Sequence, residues 1–445
     1  MKKLITSFIF LLSFTLTLQA QDFTVASGKT VTIARSGSLT VGGAFSNSGT
    51  VTLNSDSNEF AVIKVSGTSS GNITYNRWVN QVGSGDWDLI GSPVSGQTIS
   101  NFVSVNTAGD DDLATDGVQY AVGVYDNSDD TWDNYTSNGT GAGNVSGAGS
   151  FDIGKGYAMA SVTDGSTLAF TGTISVGNET QAITDNDDAN SGAGRIWNLV
   201  ANPYPSYLNV NTNADGSNNI LTVNGTANLH DTYVAVYGWD ADGSGYTLYN
   251  NSSSATYLAP GQGFMVASDD DGGTTISFTE AMQTTSGGDD FISGDTMDDM
   301  FEVLLRLYHG DQEIEETRLY FENGLSLGLD PGYDAGAFDE NAALMTRLVE
   351  DDEGYGLAIN AMSTEDMDDV VIPLEINQTA GQEFRINLHT STIGEVNIYL
   401  EDTELETLTL LNEEDFVMTP TYDLSDVGRF YVHLTADTLS NEEVN

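Results

Sequence analysis

Ser69 is the first residue whose setting could support catalysis, because Gly67-Thr-Ser-Ser-Gly71 matches the G-x-S-x-G pattern of a nucleophile elbow. An elbow needs a strand, a sharp turn and then a helix, whereas the residues that follow here, up to Tyr75, have a strand-like composition. The histidines are scattered and form no H-E-x-x-H pair: His230, His309, His389 and His433. The sequence therefore predicts no catalytic residue, no zinc and no triad, and it favours a protein that is not an enzyme.

Carboxylates are the most abundant side chains that could bind an ion. The chain has 65 Asp and Glu against 13 Lys and Arg, which gives a net charge of -52. Calcium takes six to eight oxygen ligands at flexible geometry, and two acidic groups have a spacing that suits it. They are Asp240 with Asp242, and Asp185 with Asp187 and Asp188. Asp in a turn also caps its own backbone, so the two alternatives are a calcium site and ordinary turn formation.

Aromatic residues offer a second kind of candidate site. Trp132, Trp239, Tyr246 and Tyr249 flank the tips of two predicted hairpins, where their rings could stack on a sugar. Trp87 and Trp197 open predicted strands instead, and we expect both in the core. The prediction is a sugar-stacking platform made of the four hairpin aromatics.

The charge and the lack of cysteine exclude several classes of protein. A surface this acidic repels nucleic acid and anionic membranes. A chain without Cys has no disulfides, no Cys zinc site, no thiol nucleophile and no lipoprotein anchor. The expected partner is an extracellular glycan or protein surface.

The first 20 residues have the pattern of a secretory signal peptide. Lys2 and Lys3 precede an apolar run from Leu4 to Leu18, and the small Ala20 follows at a plausible cleavage point. The run is too short to span a bilayer, and we expect no transmembrane segment after the signal is removed. The sequence therefore predicts a secreted or cell-surface protein.

The elements that would position these residues are organised by a duplication. Four blocks recur in the same order about 110 residues apart, which indicates two copies of one β-module, residues 81–180 and 195–286. The first block is Trp87-Asp-Leu-Ile-Gly-Ser-Pro93 in one copy and Trp197-Asn-Leu-Val-Ala-Asn-Pro203 in the other. A later block contains Gly154-Lys-Gly156 in the first copy and Gly261-Gln-Gly263 in the second.

Short runs of β-branched and aromatic residues between glycines predict an all-β protein throughout. Residues 22–80 form a leader whose spacing resembles the rungs of a β-solenoid, with a small meander as the alternative. Each copy reads as a small antiparallel sandwich, and residues 297–437 as a further β-sandwich of eight short strands. Residues 438–445 are expected to be a flexible tail.

The repeated blocks resemble a β-module of Bacteroidota surface proteins that are exported by the type IX secretion system. The blocks that show it are Trp197-Asn-Leu-Val-Ala-Asn-Pro-Tyr-Pro205 and Ala259-Pro-Gly-Gln-Gly-Phe264. Such cargo usually ends in a small C-terminal sorting domain, and the sequence up to Asn445 predicts none. The resemblance implies a secreted or surface location, and it implies no reaction.

Two hypotheses for function follow from these observations. The first is a non-enzymatic secreted or surface β-module protein that acts as an adhesin or a structural spacer. The second is a carbohydrate-binding accessory protein of extracellular polysaccharide use, motivated by the aromatics beside the hairpin tips.

Overall fold

The computed structural model describes residues 17–81, 87–108, 113–162, 165–186, 196–240, 245–269, 273–288, 301–394, 396–425 and 427–439. Within these ranges the protein is built almost entirely of β-strands, with two short α-helices, so the predicted all-β class is confirmed. None of the helices in these ranges has the length and apolar character needed to cross a membrane.

The leader is a three-sided parallel β-solenoid. Its three rungs stack so that each side is a parallel sheet, in the orders β1-β4-β7, β2-β5-β8 and β3-β6-β9. Strand β1 falls within the predicted signal peptide and pairs with β4. The strands are β1 (Thr17–Ala20), β2 (Phe23–Val25), β3 (Thr30–Ile33), β4 (Ser38–Val41), β5 (Phe45–Asn47), β6 (Thr50–Asn54), β7 (Val62–Val65), β8 (Ser69–Ser70) and β9 (Ile73–Val79).

Alternation of side chains explains why this segment forms a solenoid. Along β6 and β9 every second side chain is buried, and the inward set includes Val51, Leu53 and Tyr75. These residues stack on their neighbours in the next rung, which gives each short strand the buried partners that it lacks alone. Of the two alternatives for the leader, the solenoid is the one present.

The first copy is a five-stranded sheet with a helix beside it. Strand order is β10-β14-β11-β12-β13, and a separate strand, β15, adds antiparallel to β9 of the solenoid. The elements are β10 (Asp88–Ile90), α1 (Ile99–Asn106), β11 (Gln119–Asp126), β12 (Thr131–Thr136), β13 (Gly143–Asn144), a 3₁₀ turn (Val145–Gly147), β14 (Tyr157–Met159) and β15 (Ser166–Gly172).

The second copy repeats this plan. Its sheet has the order β17-β22-β19-β20, and β23 pairs antiparallel with the strand that precedes the copy, β16, as β15 pairs with β9. The elements are β16 (Glu179–Ile183), β17 (Trp197–Ala201), β18 (Tyr207–Asn209), α2 (Ile220–Asn228), a 3₁₀ turn (Asp231–Tyr233), β19 (Val236–Asp240), β20 (Gly245–Tyr249), β21 (Tyr257–Leu258), β22 (Gly263–Ala267), β23 (Thr274–Phe278), a 3₁₀ turn (Glu280–Met282) and β24 (Gln283–Thr284).

A buried asparagine clamps the helix to the sheet in both copies. The Asn106 side chain bonds both backbone groups of Ala169, at 2.7 and 3.2 Å, and the Asn224 side chain bonds both backbone groups of Ser277, at 2.7 and 3.1 Å. These residues lie in corresponding elements of the two copies. The shared topology and the shared clamp confirm that the module is duplicated.

The two copies pack against each other through equivalent segments: the first block of each copy contacts the Gly-x-Gly segment of the other copy. The Gly91 N–H donates to the Gly261 carbonyl at 2.8 Å, and the equivalent Ala201 N–H donates to the Gly154 carbonyl at 2.8 Å. Isolated bridges follow the same rule, since Ile90 pairs with the Gly-x-Gly segment of the second copy and Val200 with that of the first. The contact therefore has pseudo-twofold symmetry.

This contact explains why each copy contains a Gly-x-Gly segment. A Cβ atom at Gly156 would lie 2.6 Å from the Leu199 Cγ, and one at Gly263 would lie 2.7 Å from the Leu89 backbone. Only a residue without a side chain lets the two backbones approach so closely.

The C-terminal part is one eleven-stranded sheet that curls around an apolar interior. The order is β33-β32-β35-β30-β28-β29-β26-β25-β31-β34, with β27 beside β29. Phe416 of β34, at one end of the sheet, contacts Phe430 of β35, the third strand from the other end, with ring centroids 5.9 Å apart, so the sheet is nearly closed. The strands are β25 (Phe301–His309), β26 (Gln312–Phe321), β27 (Ala335–Gly336), β28 (Leu344–Thr346), β29 (Leu357–Met362), β30 (Asp369–Ile376), β31 (Phe384–Ser391), β32 (Asn397–Asp402), β33 (Thr407–Leu410), β34 (Phe416–Met418) and β35 (Phe430–Thr435).

Hydrophobic cores run across the sequence boundaries between these parts. One core joins the solenoid to the first copy, and another joins both copies to the C-terminal sheet. The buried Arg77 of β9 donates from Nε to the Pro260 carbonyl at 2.9 Å, which ties the solenoid to the second copy as well. The predicted domain boundaries stay a prediction, and the packing joins the parts into one continuous body.

Candidate ligand-binding site

A cavity of about 590 Å³ opens between the hairpins of the two copies. Its walls contain four aromatic residues, Trp87, Trp132, Trp239 and Tyr246. The remaining lining residues are Leu89, Gln119, Asp133, Asn134, Thr136, Thr140, Gly141 and Ala158. A concave surface with several rings and a few convergent polar groups is the usual form of a small-molecule site.

Two hairpins position three of the four rings. In β11–β12, Trp132 lies opposite Tyr125 with ring centroids 5.1 Å apart, and in β19–β20, Tyr246 lies opposite Trp239 at 5.1 Å. These pairs occupy equivalent positions in the repeat. Trp132 is 44% exposed, so much of its ring is available to a ligand.

The cavity exists because the first copy has small or polar residues where the second has large ones. Strand pairing places Gly123, Ala158 and Asn134 at the positions of Tyr237, Met265 and Leu248. Tyr237 and Met265 are fully buried, and Leu248 packs with them. The same outer face of the sheet is therefore filled in the second copy and open in the first.

The C-terminal part covers the outer face of the second copy. Phe338 stacks on Tyr246 with centroids 3.9 Å apart and on Trp197 at 4.4 Å. The Tyr237 hydroxyl donates to the Gly336 carbonyl at 2.9 Å, and the Asn251 N–H donates to the Gly332 carbonyl at 2.7 Å. The second copy thus uses this face for packing.

The polar groups around the cavity are mostly uncharged. The polar lining residues are Gln119, Asn134, Thr136 and Thr140, and Asp133 is the one carboxylate among the described lining residues. The Thr136 and Thr140 hydroxyls already donate to the Thr140 carbonyl and to Asn138, so the amides of Gln119 and Asn134 are the main polar groups for a ligand. None of those lining residues is Lys or Arg. Such a wall offers hydrogen bonds to hydroxyl groups and offers no cation to an anionic ligand.

Burial keeps the nearby tyrosines neutral. Loss of hydration raises the pKa of Tyr246 well above its ordinary value. The pKa of Tyr125 is raised for the same reason and also because its hydroxyl donates to Asp130 at 2.8 Å. Both hydroxyls remain protonated at physiological pH, so they add no charge to the site.

Two expectations about the aromatics need correction. Tyr249 does not join the platform, because it lies three residues after Tyr246 on β20 and its side chain packs against the interior of the second copy. Trp87 was expected in the core; it is partly buried against two of the hydrophobic cores, and it also lines the cavity. Trp197, its counterpart, is buried as predicted.

Sequence reasoning also missed the polar lining, from Gln119 to Thr140. One signal was available, since aligning the two hairpins sets Asn134 against Leu248 and Gly123 against Tyr237. Where one copy has a small or polar residue and the other copy has a large apolar residue at the equivalent position, that face of the sheet is packed in one copy only.

The calcium candidates stay untested. Asp187, Asp188 and Asp242 lie outside the described residues, and Asp240 ends β19. Asp185 follows β16 and is half-buried. In the described ranges, no three Asp, Glu, His or Cys side chains cluster in a way that could bind a metal ion.

The residues considered for catalysis, Ser69 and the four histidines, lie on strands or contact neighbouring side chains. Ser69 lies on β8 of the solenoid, and the strand β9 follows it where an elbow would have a helix. The His309 ring contacts Gln378 at 2.6 Å and Gln382 at 2.8 Å, and His433 contacts Glu401 at 2.7 Å. His230 packs against Tyr233 and Tyr355, and His389 is exposed on β31.

The fold and the cavity define a class, a β-solenoid followed by a duplicated β-module and a curled C-terminal sheet, with one aromatic face left open. The chain belongs to the family described as "Domain of unknown function (DUF8693)", whose model matches residues 6–433. Neither a curated protein nor a solved structure matched the chain. The family match runs through all of these parts, so the family includes both copies of the module together with the C-terminal sheet that covers the second copy.

Proposed function

We propose that this protein is a non-enzymatic, secreted or cell-surface glycan-binding protein, and that the cavity between the two hairpins is its binding site. The observation behind the proposal is the convergence of Trp87, Trp132, Trp239 and Tyr246 on one open cavity. Aromatic rings supply flat apolar area that matches the C–H faces of a sugar, and the amides of Gln119 and Asn134 beside them match its hydroxyl groups. This combination favours the carbohydrate-binding hypothesis over a bare spacer.

The charge of the protein narrows the ligand to uncharged glycans. The molecule has a net charge of -52, and the lining residues within the described part of the chain include Asp133 and no Lys or Arg. An acidic polysaccharide would approach against this field and would meet no cation in the cavity. Uncharged glycans escape both penalties.

The proposed location rests on the sequence of the first 20 residues and on the resemblance to type IX secretion cargo. Cell fractionation tests it, with the expectation that the protein is found outside the inner membrane and begins near Gln21. Recovery of the intact chain from the cytoplasm would contradict the location and leave the binding proposal standing.

The spacer role is a second candidate, supported by a different observation. One core joins the solenoid to the first copy and another joins both copies to the C-terminal sheet, so the described parts pack together and are not separate domains on linkers. Parts packed in this way can hold a binding face at a fixed distance from the attachment point. The two roles are compatible within one adhesin.

A glycan array tests the binding proposal. We expect the chain to bind a neutral glycan, and Trp132→Ala to abolish that binding because it removes the most exposed ring of the cavity. Tyr422→Ala is the matched control, since Tyr422 is an exposed aromatic between β34 and β35 that does not line the cavity. A blank array, or binding that survives Trp132→Ala, contradicts the proposal.

A further inference from the structure

Phe338 shows how the outer face of the module accommodates a ring. Its phenyl group makes an angle of 32° with Trp197 and 25° with Tyr246, at centroid distances of 4.4 and 3.9 Å. Two rings at these distances and small angles cannot share one face of a phenyl group, so they contact opposite faces. Phe338 therefore lies in an aromatic slot with a ring on either side.

The first copy has a tryptophan at both wall positions of this slot. Trp87 and Trp132 are the residues at the positions of Trp197 and Tyr246, as the register of the equivalent strands shows. Both line the open cavity. A ligand ring that enters the cavity is thus expected between two indole groups, as Phe338 lies between its two neighbours.

A slot of this kind constrains the stereochemistry of a sugar. A pyranose held between two aromatic rings must present C–H groups on both of its faces, because a hydroxyl that points at an indole face loses its water and gains no partner. β-Glucose and β-xylose have all their hydroxyls equatorial, so both faces are apolar. Mannose has an axial 2-hydroxyl and galactose an axial 4-hydroxyl, which would point at one wall.

We infer that the ligand of the first copy is a neutral β-linked polysaccharide of gluco- or xylo-configured units, one ring of which lies between Trp87 and Trp132. This inference rests on the proposed function and adds the substrate class. The cavity, at about 590 Å³, is within the size range of small-ligand sites, roughly 300–1,000 Å³. The amide side chains of Gln119 and Asn134 in its lining suit the equatorial hydroxyls at the edge of such a ring.

Titration calorimetry with four oligosaccharides tests the inference. The probes are cellotetraose and β-1,4-xylotetraose, whose hydroxyls are all equatorial, and β-1,4-mannotetraose and β-1,3-galactotetraose, in which each unit has a free axial hydroxyl at C2 or C4. We expect the first pair to bind and the second pair to bind at least about tenfold more weakly, the penalty for burying one hydroxyl without a partner.

Two variants locate the binding. Trp132→Ala is expected to abolish binding of the gluco- and xylo-probes. Trp132→Tyr introduces the residue that the second copy has at this position, where it stacks on Phe338, and is expected to retain binding. Loss in both variants would show that the side chain does not act as a stacking surface and would overturn the inference.

The outcomes separate the inference from the proposed function. If mannotetraose or galactotetraose binds as well as cellotetraose and Trp132→Ala removes the binding, the proposed glycan-binding site is supported. The inferred slot between Trp87 and Trp132 is then contradicted. If none of the four binds while the array shows another glycan that depends on Trp132, the substrate class is wrong and the function stands. If neither the probes nor the array shows binding, both fail.

Discussion

The two copies of the module have the same topology and differ in what lies on the outer face of their sheet. In the second copy that face is filled by Tyr237, Met265 and Leu248 and covered by Phe338. In the first copy smaller or more polar residues occupy the same positions, and the face lines a cavity.

This difference shows how a duplicated scaffold can separate two roles. The second copy provides the surface on which the C-terminal sheet packs. The first copy provides a concave aromatic surface, which its contact with the second copy holds in place. Function is then determined by a few positions on the sheet rather than by the fold, which both copies share.

Replacing the equivalent tryptophans by alanine should give the largest contrast. Trp197 is 4% exposed and packs against Tyr237 and Phe338, so Trp197→Ala should lower the free energy of unfolding by about 3–5 kcal/mol. Trp87 is partly exposed in the cavity although it packs against two cores, so Trp87→Ala should cost less, about 2 kcal/mol, while removing ligand binding. Denaturant unfolding of both variants measures this, and equal losses would contradict the assignment of packing to one copy and binding to the other.

Removing Phe338, the ring between Trp197 and Tyr246, should have the next largest effect on stability. Phe338→Ala leaves the space between Trp197 and Tyr246 empty, and because the ring is partly exposed the expected loss of stability is about 2–3 kcal/mol. Val371→Ala, at an exposed position on β30, is a control for truncation of an apolar side chain. A variant as stable as the wild type would mean that the packing of the C-terminal part on the second copy does not depend on the Phe338 ring.

The duplication and the all-β class could be predicted from the sequence because block order and strand alternation are local patterns. The open face could not, since it depends on Trp87, Trp132 and residues of four strands that come together only in the sheet. The position of Phe338 lies beyond both copies in sequence, and no local pattern links it to Trp197. The mistake over Tyr249 was avoidable, because strand residues three apart point to opposite faces.

The contact between copies can be tested at its closest approach. Gly156→Ala would place a Cβ 2.6 Å from Leu199, so the variant should lose about 1–3 kcal/mol of stability. Gly147→Ala is the matched control, because a Cβ there meets nothing within 4 Å. Thermal melting compares the two, and equal melting temperatures would contradict the close pseudo-twofold packing.

The pH dependence of stability tests the loop that leads to Phe338. Burial raises the pKa of Asp334 to about 7, although its carboxylate accepts the backbone N–H groups of Asp330 at 2.6 Å and Ala361 at 2.7 Å. The folded state then binds a proton that the unfolded state releases near its ordinary pKa of 3.8, so stability should fall as the pH rises from about 4 to 7.

Asp334→Asn should flatten that slope in part, because burial also raises the pKa of Glu315 to about 7 and that group contributes in the same direction. Carboxylates whose pKa is lowered by hydrogen bonds, such as Asp116 and Asp215, act below pH 4 and leave this window unaffected. Denaturant midpoints measured between pH 4 and 8 give the comparison. A wild-type curve that is flat over this interval would mean that Asp334 is ionised when buried.

A crystal structure of the chain with cellotetraose tests the central claim most directly. We predict one glucose ring between Trp87 and Trp132, with Phe338 still in place and no sugar between Trp197 and Tyr246. Cellotetraose bound elsewhere on the molecule, with the cavity between the hairpins empty, would contradict the account.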